Sequence, residues 1–293
     1  MPRAVGVLWR FSRPHTIVGT ALSVVGLYAI AAAELGAAPP AYDLVLTLVA
    51  GLTVNIAIVG VNQITDVEID RVNKPWLPIA AGDLSPARAR AIVGACTAIP
   101  LALALTQGAA ETVAVAAGLA VGALYSLPPA RLKRFPVAAS LSITGVRSLV
   151  VNLGVYAHFA DRIDPPVIAL CLFVLPFSFA IAVLKDVPDI EGDRRYSIRT
   201  FTVRLGAQRV FRTGLAALAV AYGGMIVLGP ILLADHVNAP LLVAGHAAAA
   251  ALLAYWSRRA EPSDRVIFTR FYMRVWALFF LEYLLVPAAC LAA

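Results

Sequence analysis

Residues 44–70 read "LVLTLVAGLTVNIAIVGVNQITDVEID". Nothing from Leu44 to Thr65 is charged; then three carboxylates, Asp66, Glu68 and Asp70, fall within five residues. A helix needs about 20 apolar residues to cross a bilayer, and the run before Asp66 supplies them. Charges are costly inside the membrane, so the acids mark the point where the chain leaves it. The composition agrees. The chain is 60% hydrophobic and 14% charged, against roughly 45–50% and about 25% in soluble domains. Its apolar runs are continuous rather than alternating, which fits helices and not a barrel. The expected fold class is all-α, a polytopic membrane bundle.

Nine candidate spans follow, at 15–34, 43–64, 88–107, 111–128, 136–158, 165–185, 209–233, 238–257 and 268–290. Alternate connections are short: "AELGAAPPAY", "TQGAAE", "AHFADRID" and "LADHVNAP" hold a single basic residue, Arg162. The other connections, the span ends that adjoin them and the N-terminal stretch hold all the remaining Lys and Arg except Arg147, out of 24 in the chain. The positive-inside rule then predicts a cytosolic N-terminus and an outer C-terminus. The net charge of +7 is therefore a topology signal, and no nucleic-acid partner is expected. Cys96, Cys171 and Cys290 lie in apolar runs without partners nearby, and the four histidines are scattered. Neither a disulfide nor a zinc site is expected. The start of the chain, "MPRAVGVLWRFSRPHTIVGT", has no short apolar stretch with a small-residue cleavage site, so no signal or transit peptide is expected. The Ala-rich composition suggests a bacterial chain in the cell membrane.

Seven of the 17 carboxylates sit in two nine-residue windows, "NQITDVEID" (62–70) and "KDVPDIEGD" (185–193). Each follows an apolar span and enters a basic connection. Their spacing suggests one transmembrane domain over 1–293 in which spans 2–5 are repeated as spans 6–9, a design that places paired sites on related halves.

On a continuous helix, steps of four drift only about 40°. Asn62, Asp66 and Asp70 would then share a face with Asn55, and Glu68 would point away. Asp186, Asp189 and Asp193 form a similar face with Glu191 opposite, although Pro188 and Gly192 favour a break there. Two facing acidic clusters repel each other, so a cation is expected between them. Oxygen ligands without Cys or His suit Mg²⁺, which is held by few carboxylates and completed by phosphate oxygens and water. Phosphate partners are at hand in Arg71 and Lys74, in Arg131, Lys133 and Arg134 of "YSLPPARLKR", and in Lys185, Arg194 and Arg195. The pattern reads as a Mg²⁺–diphosphate site at the cytosolic end of an apolar bundle, which points to a prenyl diphosphate.

At this point the sequence resembles a known family. "NQITDVEIDRVNKPWLPIAAGDLS", "YSLPPARLKRFP" and "KDVPDIEGDRRYSIRTFTVRLG" are similar to motifs of the UbiA superfamily of intramembrane prenyltransferases, most of all its homogentisate prenyltransferase branch. "SRPHTIVGT" and "FYMRVWALFFLEYLLVP" resemble its terminal segments. The resemblance implies nine helices and ionisation of an allylic diphosphate, followed by attack of an electron-rich aromatic ring. It implies that Asn62, Asp66, Asp70, Asp189 and Asp193 bind two Mg²⁺ ions, with Asp186 accessory and Lys133 and Arg134 on phosphate oxygens. Tyr125 would stabilise the allyl cation through its ring. The acceptor would be a phenolic acid such as homogentisate, with loss of CO₂, or 4-hydroxybenzoate. A terpene cyclase of the same superfamily, a lipid-type prenyltransferase and an anion transporter are the rival readings. Transporter sites usually lie near the midplane, whereas these motifs lie in loops.

Among the polar residues inside apolar spans, three stand out: Asn55, Arg147 and Glu282. Counted from the cytosolic span ends, all three sit roughly 12–20 Å deep. A buried ionisable group calls for a named partner. Two assignments stand for Arg147: a structural ion pair with Glu282 between spans 5 and 9, or a clamp on an acceptor carboxylate, with Glu282 orienting it.

Overall fold

The computed structural model describes residues 3–293. Among the described residues every regular element is helical, and nine helices are long and apolar enough to cross a membrane. They are α1 (Pro14–Leu35), α2 (Ala41–Thr65), α3 (Pro86–Gln107), α4 (Ala109–Ser126), α5 (Pro136–Ala160), α6 (Pro165–Leu184), α7 (Ala207–Val227), α8 (Ala239–Ser257) and α9 (Arg265–Leu291). The spans expected from the sequence are all present, and the chain is a multi-pass membrane protein. The bundle has a head end, which bears the long basic connections, and an opposite far end.

Local chemistry sets the helix limits. Proline occupies the first turn of α1, α3, α5 and α6, where its fixed φ suits a helix start and its missing N–H is not needed. Ser85, Asn238 and Asp264 cap α3, α8 and α9 by accepting first-turn backbone N–H groups, a contribution of about 1 kcal/mol each. Gly36 ends α1 in the left-handed region at φ 67°, which costs glycine nothing. Span 7 is shorter than its apolar run, because the chain turns at Leu228 into a separate helical turn, Gly229–Leu232.

Membrane helices cannot be driven together by apolar burial alone, so they use close backbone approach. Gly118 and Gly122 on α4 form such a small-residue step, packed against Val54 and Ile58 of α2; a Cβ at Gly122 would meet Ile58 Cγ1 at 2.6 Å. Gly26 of α1 likewise lies under the Tyr283 carbonyl of α9. The most apolar stretch of α6 is 67% buried inside the bundle, against 17% for α3, so α6 is the central post and α3 faces lipid. An aromatic cluster, with Phe173 and Phe177 of α6 against Tyr222 of α7 and Phe279 of α9, fixes this side. α5 carries a π-helical turn at Val146–Val150, which re-aims the Arg147 side chain. Such turns often sit at functional sites.

Neither Asp-rich window lies on a continuous helix. α2 stops at Thr65, Asp66 takes a non-helical conformation (φ −116°, ψ 19°), and a new short helix runs Val67–Asn73. α6 ends at Leu184, and a second short helix runs Ile190–Arg195. The expected single face through Asn62, Asp66 and Asp70 is thus formed by two helices meeting at Asp66. The break predicted around Pro188 is present.

Candidate active site

A chamber of about 730 Å³ runs through the bundle from the two Asp-rich segments at the head end to Thr47 and Glu111 near the far end. Asn62, Asp66, Asp70, Asp186, Asp189 and Asp193 all line it, with Lys74, Lys133, Lys185, Tyr125, Asn55 and Arg147. The short helices carry each window to the chamber, while Glu68 and Glu191 point into solvent.

Asn73 joins the windows. Its Oδ1 accepts the Gly192 backbone N–H at 2.9 Å, and its Nδ2 donates to Asp193 Oδ1 at 3.4 Å. Gly192 is required here because a Cβ would run into the Asn73 amide. The Asn73 carbonyl in turn accepts from Arg265 at the start of α9.

The acids meet cations rather than one another. Lys133 Nζ lies 2.5 Å from Asp66 Oδ1, and Arg131 Nη2 lies 3.3 Å from the same oxygen. Lys74 pairs with Asp189. Lys185 Nζ donates to the Tyr125 hydroxyl at 2.7 Å and lies 3.8 Å from Asp186. Arg13 Nη2 donates to Asn62 Oδ1 at 3.3 Å. Burial pushes Asp70 up to about 6, with Asp66 and Asp189 adding repulsion against the pull of Arg13 and Lys74. Burial also lifts Asp186 to about 6. Asp193 rises to about 8, through burial and then repulsion from Asp186 and Asp189. Burial lowers Lys133 despite Asp66. For Lys185 burial acts in the same sense, but the Tyr125 hydroxyl and Asp186 outweigh it and raise the pKa.

Among the described residues neither Asp70 nor Asp193 has an ion-pair partner, and Asp70 Oδ2 is buried without a hydrogen-bond partner. Among the described residues no three acidic, Cys or His side chains converge tightly enough to hold a metal alone. That donor set suits a hard cation whose remaining ligands come from phosphate and water.

Several expected site residues lie elsewhere. Arg134 is exposed and rests over the Phe135 ring at 5.5 Å. Leu132–Arg134 is a tight three-residue turn, so adjacent side chains diverge by about 120° and only Lys133 faces inward. Arg71 lies on the outer face of its helix, paired at 2.6 Å with exposed Glu68. Glu282 does not meet Arg147. It is buried against His246, 3.2 Å from Nε2, so the expected α5–α9 ion pair is absent and Glu282 lies outside the chamber lining.

Arg147 instead stacks over Trp276 at 4.8 Å and Phe279 at 5.5 Å, with Nη1 buried and unpartnered. Asn55 Nδ2 donates to Thr16 Oγ1 at 3.1 Å, tying α2 to α1. The sequence reading missed Arg13 and Arg265, which line the chamber. It also missed Glu111, because the predicted span began there.

Acids and lysines stand at one end of a largely apolar intramembrane chamber. This architecture defines a membrane enzyme that handles an anionic head joined to a long apolar tail. The UbiA prenyltransferase family model matches residues 22–280, and the chain belongs to this family. It is an aromatic prenyltransferase. It is 43% identical to homogentisate phytyltransferase of Synechocystis, covering 97% of this chain and 96% of that one. It is 36% identical to homogentisate phytyltransferase 1 of Arabidopsis thaliana, over 97% of this chain and 75% of that one. A UbiA homologue of Archaeoglobus fulgidus, solved bound to GPP and Mg²⁺, superposes with a TM-score of 0.68 at 20% identity, covering 97% of this chain and all of that one.

Proposed function

We propose that the chain transfers a prenyl group from a prenyl diphosphate to homogentisate, and that two Mg²⁺ ions bound at the head end assist. The carrying observation is the pair of Asp-rich segments that Asn73 clasps across one chamber. Identity to two homogentisate phytyltransferases supports the acceptor. The Archaeoglobus relative's ligands support the donor and the metal.

Asp66, Asp70, Asp189 and Asp193, with Asn62 and accessory Asp186, would hold the metal. When bound, Mg²⁺ would neutralise charge developing on the departing diphosphate. Lys74, Lys133 and Lys185 lie among these acids and would bind phosphate oxygens. They are preorganised donors aimed at the place where charge develops. The allylic C–O bond breaks, diphosphate leaves with the electron pair, and the aromatic ring attacks the allyl carbon. The attacked ring carbon then gives up its proton; with homogentisate the side-chain carboxylate also leaves as CO₂, and the CH₂ carbon it leaves takes up a proton to become a methyl group. The Tyr125 ring lies beside the head end to stabilise cationic charge. The apolar walls exclude water that would hydrolyse the cation. Arg147 lies further in with a free N–H and would bind the acceptor carboxylate. The head end would face the cytosol of a cell membrane, in keeping with the basic connections.

The test is a reaction of the purified protein with Mg²⁺, a set of prenyl diphosphates, and homogentisate or 4-hydroxybenzoate, read by mass spectrometry. Prenylated, decarboxylated product from homogentisate is expected. Product from 4-hydroxybenzoate alone would overturn the acceptor assignment. Cyclised hydrocarbon formed without any acceptor would overturn the reaction.

A further inference from the structure

One chamber residue has no part in this chemistry. Glu111, Ala114, Val115, Gly118, Gly122 and Tyr125 form one face of α4, and all line the chamber. The face begins at the head end with Tyr125, continues through small and apolar residues, and ends at a carboxyl. Glu111 lies fourteen residues from Tyr125, about 21 Å along the helix axis. An acid in the first turn of a helix is ordinarily a solvated complement to the helix dipole. Glu111 is 1% exposed, and its Oε2 is buried without a hydrogen-bond partner. The nearby Thr47 hydroxyl is engaged by Gln107 at 3.2 Å instead. A lining built for a hydrocarbon tail thus terminates in a polar group that its own neighbours do not satisfy.

We propose that Glu111 is the floor of the chamber and limits the length of prenyl chain the enzyme accepts. The proposal rests on the prenyl-transfer reading above. A short tail ends over Ala114 to Gly122 and never meets the carboxyl. A tail long enough to reach Glu111 must seat its last CH₂ and CH₃ groups against a buried, unpartnered carboxyl in place of an apolar wall, which forfeits apolar contact there and offers the carboxyl no polar partner. That penalty is paid only by long donors. Glu111 is therefore a specificity-determining residue remote from the reacting atoms.

The test compares wild type with Glu111→Leu, Glu111→Met and Glu111→Gln in the full-length protein. The measured quantity is kcat/KM for geranyl, farnesyl, geranylgeranyl and geranylfarnesyl diphosphates at saturating homogentisate. In the Leu and Met variants the ratio of the longest donor to farnesyl should rise by about tenfold or more, the size expected from removing one unsatisfied polar group. The geranyl and farnesyl values should hold. Glu111→Gln keeps shape and polarity and should keep the wild-type profile. An unchanged ratio in a folded Leu or Met variant overturns the proposal, as does a parallel change for every donor. Loss of folded protein in Leu and Met but not Gln also overturns it, by making the carboxyl a structural requirement. Wild-type protein that turns over no prenyl diphosphate would instead refute the reading beneath.

Discussion

Asn73 and Gly192 are 119 residues apart in sequence, yet the Asn73 amide oxygen accepts the Gly192 backbone N–H at 2.9 Å in a buried position. The bond sets the separation of the two Asp-rich segments, because each lies on a short helix tethered to a different span. Asn73→Leu removes it, leaves the Gly192 N–H unpaired and forfeits the contact to Asp193. A buried unsatisfied group costs about 1–3 kcal/mol. The variant should melt several degrees lower in detergent and need more Mg²⁺ for half-maximal turnover. An unaltered Mg²⁺ dependence would show that the clasp does not set the site.

The metal assignment predicts a sharp loss of function. Asp66→Ala or Asp189→Ala should abolish turnover while folded protein is still recovered, and EDTA should do the same reversibly. Asp66→Ala also leaves Lys133 buried without its 2.5 Å partner, so some loss of thermal stability should accompany it. Asp66→Asn, which keeps a polar neighbour for Lys133, should be equally inactive but closer to wild type in melting temperature. Full activity in metal-free buffer contradicts the assignment.

The raised carboxyls give a pH signature. Asp70 and Asp186 are lifted to about 6 and Asp193 to about 8, whereas an unfolded Asp titrates near about 3.9. The fold therefore favours their protonated forms. Their contribution to stability is fully present below the unfolded pKa and is lost as pH rises through the folded values. With EDTA present, melting temperature should fall from pH about 5 to pH about 8.5. Mg²⁺ favours the ionised carboxyls and should flatten or reverse that slope. A melting temperature that rises across this window in EDTA would contradict the burial argument.

Topology is testable by labelling. In a cysteine-free background, single cysteines at exposed Ala81, Ser263 and Ala37 report both faces of the bundle. With the head end cytosolic, an impermeant reagent added to intact cells should label position 37 and spare 81 and 263. The reverse pattern would invert the bundle.

The spans and the two acidic windows were legible because they rest on composition and length, which the bilayer enforces. Which loop cations face inward was not. Arg134 and Lys133 are neighbours in sequence, and only the handedness of a three-residue turn separates them. Arg13 reaches Asn62 from the turn that precedes α1, 49 residues away in sequence. Helical periodicity placed Asn62, Asp66 and Asp70 on one continuous helix face, whereas the helix breaks at Asp66 and two helices bring them to the chamber. Glu282 and Arg147 lie at compatible depths, but depth says nothing of rotation about the axis. Rotation turns Glu282 toward His246 on α8, and the π-helical turn aims Arg147 into the chamber.

The separation of Arg147 from Glu282 sharpens the last prediction. Were they a pair, Arg147→Met would strand a buried carboxylate at a cost of about 3–5 kcal/mol. Glu282 instead has His246 at 3.2 Å, and Arg147 rests on Trp276 and Phe279. Methionine can replace that packing, so Arg147→Met should stay folded, with a melting temperature close to wild type. If Arg147 binds the acceptor carboxylate, the variant loses a charge-assisted hydrogen bond worth about 1.5–3 kcal/mol. The KM for homogentisate should then rise about tenfold or more. The KM for the prenyl diphosphate should barely move, because that ligand is held by the head-end acids and lysines. An acceptor lacking the carboxylate should bind wild type and variant alike. Glu282→Gln breaks a pair outside the chamber, so it should lower stability without touching either KM. A folded Arg147→Met enzyme with an unchanged homogentisate KM would remove Arg147 from the acceptor site.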